Sequence, residues 1–162
     1  MKSKYIFYLA LIMTYGCSEK TVNPCDLLTL EEVRKIAPDA QASEYHPAST
    51  SKSKDNELCL WNNGGDRNVF MLFYYTSSNV SPKELITSAM PSGSRIVDVT
   101  NVGDSAVAGF IDDDASSTNS LRMFSAQSKN HMIGVRVQGV PDENSDTFTT
   151  LKEIVNKALS RI

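Results

Sequence analysis

The sequence predicts an α+β fold, an antiparallel sheet of five to six strands with helices at the start, middle and end. Capping-box residues open two short segments, and the closing segment repeats apolar residues at helical spacing. An NNGGD turn joins two strand-like runs. Near the C-terminus Ile133, Val135 and Val137 alternate with Gly134, Arg136 and Gln138, the period of a half-buried strand.

The elements follow in order. Thr29 with Glu32 makes a capping box, Leu28 can pack on Val33, and Pro38 stops the segment, so Leu30 to Ala37 reads as a short helix burying Leu30, Val33 and Ile36. Gln41 to Glu57 is rich in Ser, Thr, Lys and Asn without apolar period and reads as a long surface loop. Cys59 and Trp61, two apart, share one face of a strand. The turn Asn62 to Asp66 leads into Asn68 to Thr76, which is apolar on both faces and therefore suits a central, covered strand. Ser81, Pro82 and Glu84 open a second helix, with Val80 against Leu85; it buries Leu85, Ile86 and Ala89 and ends at Pro91 and Gly93. Three or four strands follow: Arg95 to Thr100, Ser105 to Ile111, Leu121 to Ala126 and Met132 to Val140. A last helix runs from about Ser145 to Ser160 on Phe148, Leu151, Ile154 or Val155, and Ala158. The order is αββαββββα.

Composition sets bounds on partners and size. Hydrophobic residues at 41% and charged residues at 22% are the balance of a folded chain, and 162 residues suit one domain, placed at 25–162. Sixteen basic against nineteen acidic side chains, a net charge of -3, form no block of one sign, which argues against nucleic acid as a partner.

The N-terminus carries a targeting signature. Lys2 and Lys4 precede the apolar run Tyr5 to Met13, the length of a signal-peptide core and too short for a membrane span. Thr14, Tyr15, Gly16 and Cys17 follow, and this tetrad resembles the lipobox of bacterial lipoproteins. The resemblance implies a signal peptide at 1–16, acylation of Cys17 and a lipidated tether at 17–24. Ordinary signal peptidase could cut at the same place and release a soluble secreted or periplasmic protein. With Cys17 acylated, Cys25 and Cys59 remain as a pair in an oxidising compartment and are expected to join, a crosslink worth about 3 to 4 kcal/mol on the chain-entropy account. The competing use of these thiols, a metal site, needs close His or Cys partners, and His46 and His131 stand alone in sequence; no metal and no cofactor is expected.

A broader resemblance covers most of the chain after Cys17. NPCDLLTLEEV, with Cys25, Leu27, Leu28 and Thr29, followed by Cys59, Leu60 and Trp61, is similar to an uncharacterised family of actinobacterial-type lipoproteins. Asn101 to Ala106 (NVGDSA) looks like that family's Gly-Asp turn. The resemblance implies a disulfide-pinned extracytoplasmic α+β domain, with kinship to PsbP-like lipoproteins and sensor domains, and it implies no catalytic residues.

Several residue constellations bear on chemistry. Gly103, Asp104 and Ser105 begin an esterase-like motif but lack a histidine in the right context, and a turn accounts for them. Asp112, Asp113 and Asp114, with Ser116 and Asn119, could gather oxygen ligands for calcium, yet Ser117 and Met123 stand where an EF-hand needs Gly and Glu, so a solvated hairpin loop is the favoured reading. Gly64 and Gly65 are turn residues rather than a phosphate cradle. Phe70, Phe73, Tyr74 and Tyr75 suit either core packing or an aromatic platform, and Tyr45 with His46 mark a second contact region; Tyr45, His46, Tyr74 and Tyr75 are the candidate binding surface.

The functional expectation is a non-enzymatic binding or interaction lipoprotein, anchored by its lipid to the outer membrane of a bacterial envelope and facing the periplasm. Its expected partner is a protein or a small ligand. An immunity or exclusion protein against a toxin or phage component is one form of this expectation. A small hydrolase, which would need His131 beside Ser105 and a carboxylate, is the alternative.

Overall fold

The computed structural model describes residues 22–47, 56–65, 67–76, 80–111, 120–137, 140 and 142–162. The expected signal peptide, Cys17 and most of the tether lie outside them, as do Asp112–Asp114, Ser116 and Asn119.

A single 3-10 turn, Pro24–Asp26, leads into helix α1 (Leu30–Arg34). Strands β1 (Ala42–His46), β2 (Asn56–Asn62) and β3 (Asn68–Thr76) follow, then α2 (Pro82–Ala89). Strands β4 (Arg95–Val99), β5 (Ser105–Ile111), β6 (Ser120–Ser128) and β7 (His131–Val137) come next, and α3 (Asp146–Leu159) closes the order. Both capping boxes form as their sequences require. The Thr29 hydroxyl accepts from the Glu32 amide while the Glu32 carboxylate accepts from the Thr29 amide, and Ser81 and Glu84 repeat the exchange. Helix α1 is shorter than Leu30–Ala37, because Lys35 and Ile36 already bond back three residues to Glu32 and Val33.

Among the described residues seven strands form one antiparallel sheet, ordered β1-β2-β3-β7-β6-β5-β4. Two meanders, β1-β2-β3 and β4-β5-β6-β7, thus meet along β3 and β7, where Leu72 pairs with Val135. The expected count of five to six strands is corrected to seven, because β1 arises inside the stretch read as loop. Four of its five residues are exposed, so burial leaves no apolar period there, and the strand is held by its pairing with β2. β3 is central, as its two apolar faces demand.

The two faces of the sheet are covered unequally. One face carries Trp61, Phe70, Leu72, Phe110, Phe124, Ile133 and Val135, buried with Val33 of α1 and with Phe148, Leu151 and Val155 of α3. Phe148 sits between Phe110 and Phe124 at ring centroid distances of 5.7 and 5.8 Å, the spacing of favourable edge contacts. Cys25 and Cys59 are joined in a disulfide that fastens the first turn to β2, with Cα atoms 5.1 Å apart. On the other face α2 covers β5 and β6 through Ile86, packed with Val107 and Met123. Its close approach depends on Gly109, where a Cβ would lie 3.0 Å from Ile86 Cγ2 and 3.1 Å from Met90.

Candidate functional site

Strand alternation assigns each functional candidate to a face. On the α2 side, beyond the reach of that helix, β2 and β3 present the cross-strand pairs Leu58–Phe73 and Leu60–Met71. All four are half-buried. Gly134 and Arg136 of β7 continue this surface, paired with Phe73 and Met71. The Arg136 guanidinium carbon lies 6.0 Å from the centroid of the Phe73 ring, within cation–π range. Where α2 ends, the surface deepens into a groove of about 320 Å³ whose walls include Met71, Met90, Pro91, Ile111, Arg122 and Arg136.

The opposite face holds a chain of ionisable side chains at one end of β1, β2, β3 and β7. The Tyr74 hydroxyl and His131 Nδ1 are 2.8 Å apart, and the two rings stack at 5.9 Å. Glu57 is directly paired with Tyr74 across β2 and β3, on the same face as Tyr45. Burial first, and the Glu57 charge second, hold the phenols of Tyr45 and Tyr74 above the ordinary tyrosine value, because both disfavour a phenolate. Burial likewise raises Tyr75, against the opposing pull of Arg136.

The expected contact residues Tyr45, His46, Tyr74 and Tyr75 are therefore split between two faces. Tyr45 and Tyr74 stand on the helix-covered side with Glu57 and His131, whereas His46 and Tyr75 belong to the α2 side. Tyr74 is 2% exposed and Tyr75 8%, while Tyr45 keeps 39% of its surface in solvent. Adjacent residues of a strand cannot share a face, which is why the Tyr74–Tyr75 pair does not make one platform. Sequence reading missed Glu57, Arg122 and Arg136. The signal for Arg136 was present, since it is the polar residue of the alternating run in β7, but nothing linear ties it to Met90 and Ile111.

The Gly103–Ser105 segment is a junction between turns. Asn101 and Gly103 adopt left-handed backbone angles, φ 65° and 54°. The Asp104 carboxylate accepts from the Lys129 amide at 2.6 Å, the Gly103 amide donates to Asn156 Oδ1 at 3.1 Å, and Asn156 Nδ2 donates to the Asn101 carbonyl. Ser105 pairs with Gln127 on the α2 side, and His131 pairs with Ser128 on the other, so the sheet separates them. No helix among the described residues is long and apolar enough to cross a membrane.

Comparison of the chain with protein-family models, with curated proteins and with solved structures found no match in any of the three.

Proposed function

We propose that this chain is a non-enzymatic interaction module of the bacterial envelope, tethered through an acylated Cys17 to the outer membrane with its domain in the periplasm. The observation that carries the binding role is the unequal cover of the sheet: Leu58, Leu60, Met71 and Phe73 form a continuous apolar strip that neither α2 nor α3 covers. Apolar strips of this kind, rimmed by polar side chains such as Arg136, are the usual mark of a surface that meets another molecule. The Cys25–Cys59 disulfide is consistent with residence where thiols oxidise. The hydrolase alternative draws no support from Ser105 and His131, which lie on opposite faces.

Two measurements test this reading. Intact mass of the membrane-extracted product should show a chain beginning at Cys17, heavier by its acyl groups and lighter by two hydrogens; an unacylated full-length chain in the cytoplasm would remove the envelope assignment. A photo-crosslinking side chain in place of Leu60 should give adducts in living cells, and one in place of Lys152 on α3 should give none. Adducts that survive Phe73→Asp, or none from Leu60, would remove the interaction role.

A further inference from the structure

We propose that the groove at the end of α2 binds a linear amphipathic carboxylate, a fatty-acid-like chain whose head is held by Arg122 and Arg136. The inference deepens the interaction role above and rests on it, since the groove opens onto the same apolar strip.

Charge complementarity points to an anion. Three other arginines are held by oxygen acceptors: Arg34 donates to the Ala40 carbonyl, Arg95 to Glu143 and Arg161 to Glu32. Arg122 and Arg136 line one groove, both exposed, and no carboxylate among the described residues pairs with either. A guanidinium fork beside an apolar wall suits a carboxylate, which accepts two parallel hydrogen bonds from one fork while a second cation adds to the attraction.

The rest of the lining points to an alkyl chain rather than a peptide. A bound peptide needs unpaired main-chain groups to bond its own backbone. Met71 and Arg136 of this groove face each other inside the β3–β7 pairing, so the strand backbone there is already engaged. An alkyl chain asks only for apolar contact. Met71 and Met90 provide it in an adaptable form, flanked by Pro91 and Ile111. A volume of about 320 Å³ is at the small end of ligand sites, and a longer tail would continue over Leu60 and Phe73.

The test is titration of the full chain, kept soluble in amphipol and labelled with 13C at its methionine methyl groups, with dodecanoate below its micellar concentration. Dodecanol and an acidic decapeptide serve as controls. Dodecanoate should shift the Met71 and Met90 methyl signals saturably. Arg122→Gln and Arg136→Gln should each weaken binding about tenfold, the scale of one charge-assisted bond, with unchanged circular dichroism. Dodecanol should bind at least tenfold more weakly than dodecanoate. Equal binding of alcohol and acid, indifference to both arginine substitutions, or silent Met71 and Met90 signals would overturn the assignment. Tighter binding of the decapeptide at those methionines would overturn the alkyl chain in favour of a peptide. Leu60 crosslinks that persist while dodecanoate fails to bind would discard this ligand and leave the interaction role standing; loss of both would discard both.

Discussion

The Glu32 carboxylate accepts hydrogen bonds from both terminal nitrogens of Arg161, at 2.8 and 2.9 Å, and so ties the first helix to a residue two positions beyond the last one. Lys157 Nζ adds a third contact at 2.7 Å, the Thr29 amide a fourth, and Arg161 also donates to the Leu27 carbonyl. Glu32 is nearly buried, 7% exposed, and would be costly there without these partners.

The charge on Glu32 should make stability acid-sensitive. The Arg161 bonds above all, with Lys157 and Thr29 adding to them against the cost of burial, hold its carboxyl far below the ordinary value of 4.5. A lowered folded value means that the unfolded chain takes up the proton first as pH falls. The contribution is complete above about pH 5 and is lost progressively below about 4.5 as acid approaches the folded value. Glu32→Gln should cost about 2 kcal/mol at pH 7 and flatten this slope, read by urea unfolding at pH 7, 4 and 3. A variant whose slope matches the parent would separate Glu32 from the acid response.

Reduction of the Cys25–Cys59 bond should cost about 3 to 4 kcal/mol, since it closes a separation of 34 residues. Thermal unfolding with and without reductant measures it, and Cys25→Ser with Cys59→Ser should melt like the reduced parent.

Gly103→Ala should destabilise the protein by about 1 to 3 kcal/mol. The position has φ 54°, and a Cβ there would stand 2.4 Å from the Gln127 carbonyl oxygen, which is fixed in β6. Ser105→Ala, two residues on and exposed, should unfold at the parent's denaturant midpoint; a loss matching that of Gly103→Ala would show that the junction tolerates no change at all.

Tyr74→Phe should cost about 1 kcal/mol through the lost bond to His131. Ultraviolet titration of the remaining tyrosines should lose one high-pH component, because burial and then the Glu57 charge hold the Tyr74 phenol above the ordinary value.

Much of this architecture was legible because it rests on local rules. Thr29–Glu32 and Ser81–Glu84 announce helix starts by side chains that meet their own backbone, and Cys59 with Trp61 announces a buried face by spacing two apart. β1 was illegible for the converse reason. Ser43, Glu44 and Tyr45 are exposed, and their strand exists because β2 offers them unpaired backbone, a cause located sixteen or so residues away. The groove is harder still, since Met71, Met90, Arg122 and Arg136 come from four elements and meet only through the order β3-β7-β6-β5. The Cys25–Cys59 pairing was readable only together with the expectation that Cys17 is acylated, which leaves two thiols in the count.

The place of Cys25 also decides how the domain answers a mechanical pull. Tension arriving along the segment before Val22 reaches the sulfur bridge within four residues and passes through it into β2, in the interior of the sheet. Traction therefore cannot unzip the first turn and α1 one hydrogen bond at a time; it first loads β2, which is paired on both sides by β1 and β3. Once the bridge is reduced, the same tug would begin its work at the chain's first turn, so the redox state of the compartment sets the tensile strength of the molecule.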